Sequence, residues 1–313
     1  MKTTEICGKK VSKMSLGTVQ LGMNYGIANN GGQPKLEQSM DMLSTALTNG
    51  VCALDTARAY GNSEDVLGQF LASWSGERPF ITTKVPPFKS ITSEADIEKH
   101  IIGNVETSLE KLGISKADCI LLHNADNLIF EGDKAAKVMG DLVKRGYADM
   151  VGASVYTGDD IDLMMRHEEY TVTQVPMSIF DQRLISDGHI EALEKAGYSV
   201  FVRSVFLQGL FFLDPEKITD PILLEHAKPR IEKLREYAEK ESMTIAEIAI
   251  AFMRDVPGVT SLVLGADTSE QVLSNTAYFN APSISEETNA AIRKTFADVD
   301  IPEIMKVLSR PKK

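Results

Sequence analysis

Cysteine is scarce in this chain, and the three present, Cys7, Cys52 and Cys119, are odd in number and lack CxxC spacing. That suggests neither a disulfide framework nor a structural zinc site, so reduced and mostly buried thiols are expected. Long apolar runs are also missing: the greasiest stretch, IAEIAIAFM, is short and interrupted by Glu247, too short and too charged to span a bilayer. The N-terminal MKTTEICGKKVSKMSLG holds no apolar segment of signal-peptide length, which points to the cytoplasm. Basic residues are outnumbered, 33 against 44 acidic, for a formal charge of -11. Such a field repels polyanions, so nucleic acid is not an expected partner. Absent too is any GxGxxG turn after the first candidate strand, which counts against an open doubly wound dinucleotide-binding sheet.

What is present is a regular alternation. Hydrophobic content of 43% and charged content of 25% are those of a packed globular chain. Short runs rich in β-branched residues fall at 14–18, 51–56, 80–85, 119–124, 150–155, 172–177, 199–204 and 261–266, which makes eight candidate strands. Between them lie helical stripes: Leu36, Met40, Leu43 and Leu47 before Asn49-Gly50; Ile97, Ile101, Val105, Leu109 and Leu112 before Gly113; Val138, Leu142 and Val143 before Gly146; Ile190 and Leu193 before Gly197; and Ile245, Ile248, Ala249 and Phe252. Eight strand–helix units with one composition throughout imply right-handed βαβ crossovers closing into a (β/α)8 TIM barrel, a single domain over residues 1–313. Residues 205–230 and the tail from Asp298 fall outside the alternation. The first is expected to be a cofactor or substrate flap, and the second either a contributor to the substrate loop or a frayed end at Lys312 and Lys313.

In a barrel, titratable residues at the C-terminal ends of strands point into the site. Strand two ends in Asp55, followed by Tyr60; strand three ends in Lys84; strand four ends in His123. Each alone has an ordinary explanation, as a helix cap, a solvated lysine or a satisfied structural histidine. Together they form a proton-transfer device, because a tyrosine hydroxyl, with an ordinary pKa near 10, needs help to serve at neutral pH. Lys84 is expected to lower the Tyr60 pKa, Asp55 to hold Lys84 charged and oriented, and His123 to hydrogen-bond a carbonyl oxygen or relay the proton.

These residues, the segment LDTARAYGNSE with Gly61 and Glu64 in register, and QLGMNYG near the start resemble the aldo-keto reductase superfamily over essentially the whole chain. The resemblance implies hydride transfer between a nicotinamide coenzyme and an aldehyde or ketone, with catalytic Asp, Tyr, Lys and His at Asp55, Tyr60, Lys84 and His123. It implies carboxamide contacts at Ser154 and Gln174, whose side chains suit an amide that needs both a donor and an acceptor. Val155 departs from the polar residue usual in relatives and removes one of those contacts. FVRSVFLQGLF resembles the strand-seven signature in which an aromatic stacks on the nicotinamide; here that position is Arg203, expected either to stack on the ring or to meet a substrate anion instead. Ser204, Phe206 and Gln208 are cofactor-loop candidates. LGADTSEQVLSN reads as a strand end and a helix capped by Thr268, and the resemblance makes Gly265, Asp267, Gln271 and Asn275 the adenosine-phosphate contacts.

NADP(H) is the expected coenzyme, with NAD(H) possible, since Asp267 and Gln271 replace the basic residues that often hold the 2′-phosphate and the work falls to backbone N–H groups, Thr268 or Arg203. Tyr25, Phe88 and Asn124, with Met23 and Asn24, are expected to line a pocket for a small sugar-like or aliphatic carbonyl compound. Two alternatives stay open: a Schiff-base aldolase using Lys84, and a redox-sensing, nicotinamide-binding regulatory subunit.

Overall fold

Apolar β-branched runs buried on both faces cannot sit at a solvated sheet, and in this protein all eight become strands of one parallel barrel. The structure, a computed structural model, describes residues 1–26, 29 and 31–310. An N-terminal antiparallel hairpin, β1 (Thr3–Ile6) and β2 (Lys9–Ser12), precedes the barrel strands β3 (Met14–Gly17), β4 (Ala53–Asp55), β5 (Phe80–Val85), β6 (Ala117–Leu122), β7 (Ala148–Ser154), β8 (Val172–Pro176), β9 (Ser199–Arg203) and β10 (Val259–Gly265). Each strand pairs with its sequence neighbour, and β10 closes on β3 through Leu262↔Met14 to Gly265↔Gly17. The expected barrel is therefore what the chain forms.

Side-chain alternation sorts the barrel interior into floors. The lower floor is apolar: Ala53, Phe80, Cys119, Leu121, Met150, Val172 and Phe201 pack together with Val11 of the hairpin. Two residues further up the same strands come Asp55 above Ala53, Lys84 above Thr82, His123 above Leu121, Ser154 above Gly152, Gln174 above Val172 and Arg203 above Phe201. Apolar burial thus holds up a polar floor at the C-terminal rim. The alternate residues Leu54, Ile81, Ile120, Leu122, Val151, Val175 and Val202 face outward into the larger core shared with the helices.

The surrounding helices are α1 (Leu36–Thr48), α2 (Ser63–Ser73), α3 (Glu94–Leu112), α4 (Gly132–Lys144), α5 (Gly158–Met164), α6 (His189–Lys195), α7 (Lys228–Lys240), α8 (Ile245–Arg254), α9 (Ser269–Tyr278), α10 (Glu286–Thr295) and α11 (Ile301–Leu308). The α3 stripe is buried as expected and ends on left-handed Gly113. In α1 the stripe is rotated: Ser39, Met42, Leu43 and Ala46 face the core while Leu36 is exposed. Val143 of α4 is likewise exposed. The tail is neither frayed over its described part nor a substrate loop. Helix α11 buries Ile301, Ile304 and Leu308, packs against the short helix Pro221–His226 of the 205–230 segment and contributes nothing to the cavity described below. Lys312 and Lys313 lie outside the described residues. Cys119 is buried and Cys52 partly so, but Cys7 is exposed at the hairpin turn, a departure from mostly buried thiols.

The hairpin plugs the N-terminal end of the barrel, and a charge cluster holds it there. Asp118 is fully buried; it accepts hydrogen bonds from the Ile81 N–H at 2.7 Å and Arg78 Nη2 at 2.8 Å, and pairs with Lys9 of β2. Replacing Asp118 by Ala strands a buried backbone donor and uncouples the hairpin, so Asp118→Ala is expected to cost about 2–4 kcal/mol. Urea unfolding checks this, and a midpoint within error of the unaltered protein would show that the cluster contributes nothing.

Candidate active site

The upper floor of the barrel opens into a cavity of about 540 Å³ lined from Gly17, Thr18 and Gln20 at the end of β3, through Asp55, Tyr60, His123, Ser154, Gln174 and Arg203, to Gly265, Asp267, Gln271, Ser274, Asn275 and Tyr278 at β10 and α9. Ser204, Val205, Phe206, Gln208, Gly209 and Phe212 from the segment after β9, together with Tyr25 and Asn29 from the loop after β3, form its sides. The 205–230 segment therefore acts as a wall, as expected of a flap. Its backbone there is strained, with Ser204, Leu207 and Gln208 all at positive φ, a conformation that costs a non-glycine residue about 1–3 kcal/mol and is held only by its surroundings.

At the centre is a buried ion pair. Lys84 Nζ lies 2.6 Å from Asp55 Oδ1 and donates to the Thr56 carbonyl at 3.0 Å. Asp55 Oδ2 accepts a hydrogen bond from Gln174 Nε2 at 2.8 Å. Burial alone would push the Lys84 amine down, but the Asp55 carboxylate beside it, with Tyr60, carries the pKa above its ordinary value. A permanently charged ammonium has no lone pair for attack on a carbonyl, which argues against the Schiff-base aldolase.

The ammonium sits 5.1 Å from the centre of the Tyr60 ring, and the His123 ring meets that ring edge-on at 5.3 Å. Contrary to expectation, the Tyr60 pKa is raised overall: burial outweighs the opposing pull of Lys84, and the Asp55 charge adds to the rise. Tyr60 is thus held protonated at neutral pH, the state a proton donor needs. Burial, with the Lys84 and Arg203 charges, pushes His123 down to about 3, so its imidazole is neutral and presents a single N–H.

Tyr60 is placed by a close backbone approach. The turn after β4 packs onto the helical turn Val19–Gly22, where a Cβ on Gly22 would fall 1.8 Å from the Tyr60 carbonyl oxygen and one on Gly61 2.1 Å from the Gly22 carbonyl oxygen. Gly61 is at φ 55°. Glu64 ties the same turn to β5 by accepting from Thr83 Oγ1 at 2.7 Å and from Arg58 Nη1 at 3.1 Å.

Of the cofactor candidates, all ten line the cavity, but some spend their groups locally. Gln174 holds Asp55, Gln271 Oε1 accepts the Asp267 N–H at 2.8 Å, Asn275 donates to the Gly265 carbonyl at 3.2 Å, and Asp267 accepts from Asn29 at 2.9 Å. Arg203 is stacked on Tyr156, with its guanidinium carbon 4.5 Å from the ring centre. Among the substrate-pocket candidates only Tyr25 lines the cavity. Phe88 is 2% exposed in the core, edge-on to His100; the chain turns after Val85-Pro86-Pro87 and drives this ring inward. Asn124 turns back on Asp126, accepting its N–H at 3.0 Å and donating to its carboxylate at 3.1 Å, and Met23 and Asn24 are exposed to solvent. Thr18, next to the end of β3, was legible by the strand-end rule, whereas Gln20, Tyr156 and Phe212 lie beyond strand ends, where no strand periodicity reports direction.

A neutral His123 predicts a flat titration. Carbon-13 shifts of its imidazole are expected to stay constant from pH 8 to 5, and a midpoint near 6.5 would contradict the depressed value. The sign for stability follows: a folded-state pKa below the unfolded one means stability falls as pH drops from about 6.5 towards 3, where the unfolded chain binds a proton that the native site refuses.

Comparison with known proteins agrees with the geometry. The family model for the aldo/keto reductase family matches residues 13–296. L-glyceraldehyde 3-phosphate reductase of Escherichia coli O157:H7 is 24% identical, the match covering 94% of this chain and 92% of that protein. Glycerol dehydrogenase AKR11B4 from Gluconobacter oxydans superposes with a TM-score of 0.77 at 21% identity, over 99% of this chain and 97% of that one. An aldo/keto reductase from Klebsiella pneumoniae, solved in complex with NADP and acetate, superposes with a TM-score of 0.69 at 20% identity, over 92% and 93% of the two chains. This chain belongs to the aldo/keto reductase family and is an NAD(P)H-dependent oxidoreductase.

Proposed function

We propose that the protein reduces small aldehydes or ketones, with Tyr60 as proton donor, Lys84 and Asp55 setting its electrostatics and His123 orienting the carbonyl. The observation that carries this reading is the buried Lys84–Asp55 pair beside a protonated Tyr60 at one end of the cavity. When bound, the coenzyme supplies hydride. The rest is done by the chain. A carbonyl oxygen placed between the Tyr60 hydroxyl and the neutral His123 N–H accepts two hydrogen bonds, which strengthen as negative charge grows on that oxygen. Tyr60, protonated at rest, then gives up its proton to the far more basic forming alkoxide, and the Lys84 ammonium offsets the phenolate left behind.

The residues present fit the coenzyme. The cavity is long enough to run from Tyr60 to α9, and two buried polar atoms inside it, Gln20 Oε1 and Arg203 Nη2, have no hydrogen-bond partner among the described residues. Ser154 and Gln174 would hold the carboxamide, Ser204 and Gln208 the pyrophosphate, and Gln271, Ser274 and Asn275 the adenosine end. A cytoplasmic setting suits three unpaired cysteines and an NADPH-linked reduction.

Tyr60→Phe is expected to lower carbonyl turnover by roughly two to four orders of magnitude, because the lost proton transfer belongs to the transition state. Fluorescence titration should find its affinity for NADPH within a few-fold of the unaltered enzyme. Turnover above about a tenth of the original on a good substrate would remove Tyr60 from the proposed role.

NADPH is the proposed reductant. Among the described residues that line the adenosine end there is no lysine or arginine, so the 2′-phosphate would rest on the Thr268-capped start of α9. That arrangement supports only weak discrimination, and the two reduced coenzymes are expected to bind within about tenfold of each other. Competition between NADPH and NADH in the same titration decides it, with tenfold tighter NADH reversing the assignment.

A further inference from the structure

Arg203 is a cation at the catalytic end of the cavity that proton transfer from Tyr60 does not require. It stands one alternation above Phe201 at the end of β9. The Tyr156 ring covers it from one side at 4.5 Å, and Nη1 donates a long hydrogen bond of 3.5 Å to Ser204 Oγ. Nη2 is buried with no partner among the described residues, and none of their carboxylates lies within ion-pair distance of the guanidinium. The Arg203 charge lies close enough to Tyr25, Tyr60 and His123 to bear on all three. The carboxylate of this end, Asp55, is engaged by Lys84 and Gln174, and Asp267 belongs to the opposite end at the start of α9. Among the described residues the catalytic end therefore holds two cations, Lys84 and Arg203, against one anion, Asp55, in a chain whose net charge is -11. A half-buried, oriented and unpaired guanidinium is a fork that fits a carboxylate or a phosphate.

We propose that Arg203 makes this enzyme a reductase of anionic carbonyl compounds, by receiving on Nη1 and Nη2 a carboxylate or phosphate ester carried close to the reacting carbonyl. This rests on the carbonyl-reduction reading above, and deepens it. Tyr156 serves as a positioning residue: stacked on the guanidinium, it holds the fork open towards the cavity. Two sources of the anion share this chemistry, a substrate carboxylate and a substrate phosphate. The pyrophosphate of the coenzyme is the competing occupant.

The test measures binding of unreactive alcohols to the enzyme saturated with NADPH, where no hydride can move. Calorimetric titration compares glycolate with ethylene glycol and glycerol 3-phosphate with glycerol. At least one anion is expected to bind roughly ten- to hundredfold more tightly than its neutral counterpart, and the pair showing it identifies the source. Arg203→Gln should abolish that preference, and Arg203→Lys should restore only part of it because an ammonium lacks the planar fork. Equal binding of charged and neutral alcohols by the unaltered enzyme overturns the proposal without any variant. So does an Arg203→Gln enzyme that keeps the preference but loses tenfold or more in NADPH affinity, which would assign the guanidinium to the coenzyme. Carbonyl reduction is read separately: if neither charged nor neutral aldehydes oxidise NADPH, the carbonyl-reduction reading fails whatever the titrations show.

Discussion

The Lys84–Asp55 pair is the interaction on which the rest of the site depends. A fully buried ammonium is costly to desolvate, and replacing such a pair by apolar side chains of similar volume is commonly neutral or stabilising. Stability is therefore a poor account of its presence. What the pair does is deliver a fixed positive charge to the underside of Tyr60 and His123 through a low-dielectric barrel interior, where water does not screen it. The carboxylate is in turn saturated, by Lys84 on one oxygen and Gln174 on the other. Gln174, expected from the family resemblance to grip the coenzyme, is thus also a structural partner of the ion pair, and changes there would act on proton transfer and coenzyme binding together.

Such an arrangement is possible because the barrel separates stability from chemistry along each strand. The lower floor, with Phe80, Met150 and Phe201 sealed by Val11 of the hairpin, supplies apolar burial. The upper floor carries the groups that cost free energy: an ion pair, a neutral histidine, a guanidinium whose Nη2 has no partner among the described residues, and a strained loop at Ser204 to Gln208. The two are offset by one alternation, so Phe201 leads to Arg203 and Ala53 to Asp55.

That alternation is also why so much was readable before any coordinates. Strands buried on both faces appear as continuous β-branched runs, and all eight were visible; Asp55, Lys84 and His123 stand at or next to strand ends, where side-chain direction follows from period two, while Tyr60, in the turn after β4, was legible only through the family resemblance of its segment. Legibility stops where that constraint stops. Phe88 and Asn124 lie beyond their strands, and a pair of prolines and a local turn, respectively, decide where they point. In α1 the stripe drawn through Leu36 missed the buried Ser39 and Ala46, because a small or polar residue under a close helix–barrel contact carries no hydropathy signal. The hairpin escaped notice because its strands are four residues each and mostly polar; the Cys7-Gly8 pair, both at positive φ, was its one turn signal. The direction of the Tyr60 pKa differs from the expectation for another reason. Counting charges favours Lys84, while the magnitude of burial is a property of the folded site alone.

The same distinction between counting and burial bears on how an acidic chain can hold an anion. A net charge of -11 spread over the surface acts on a ligand through water and salt, which screen it over about 8–10 Å. Arg203 acts from the cavity wall and Lys84 from just beneath it, at distances short enough to add to the lowering of the His123 pKa by burial, while Asp55 answers only one of them. The outer field therefore governs the rate at which an anion arrives, and the inner charges govern how firmly it stays and which groups it meets. A small anionic carbonyl compound loses little at the first step and gains at the second. A polyanion, which cannot leave the outer field to enter a cavity of about 540 Å³, meets only the repulsion. Acidic composition and a cationic pocket are consistent with each other for this reason, and together they are what the anionic substrate proposed for Arg203 requires.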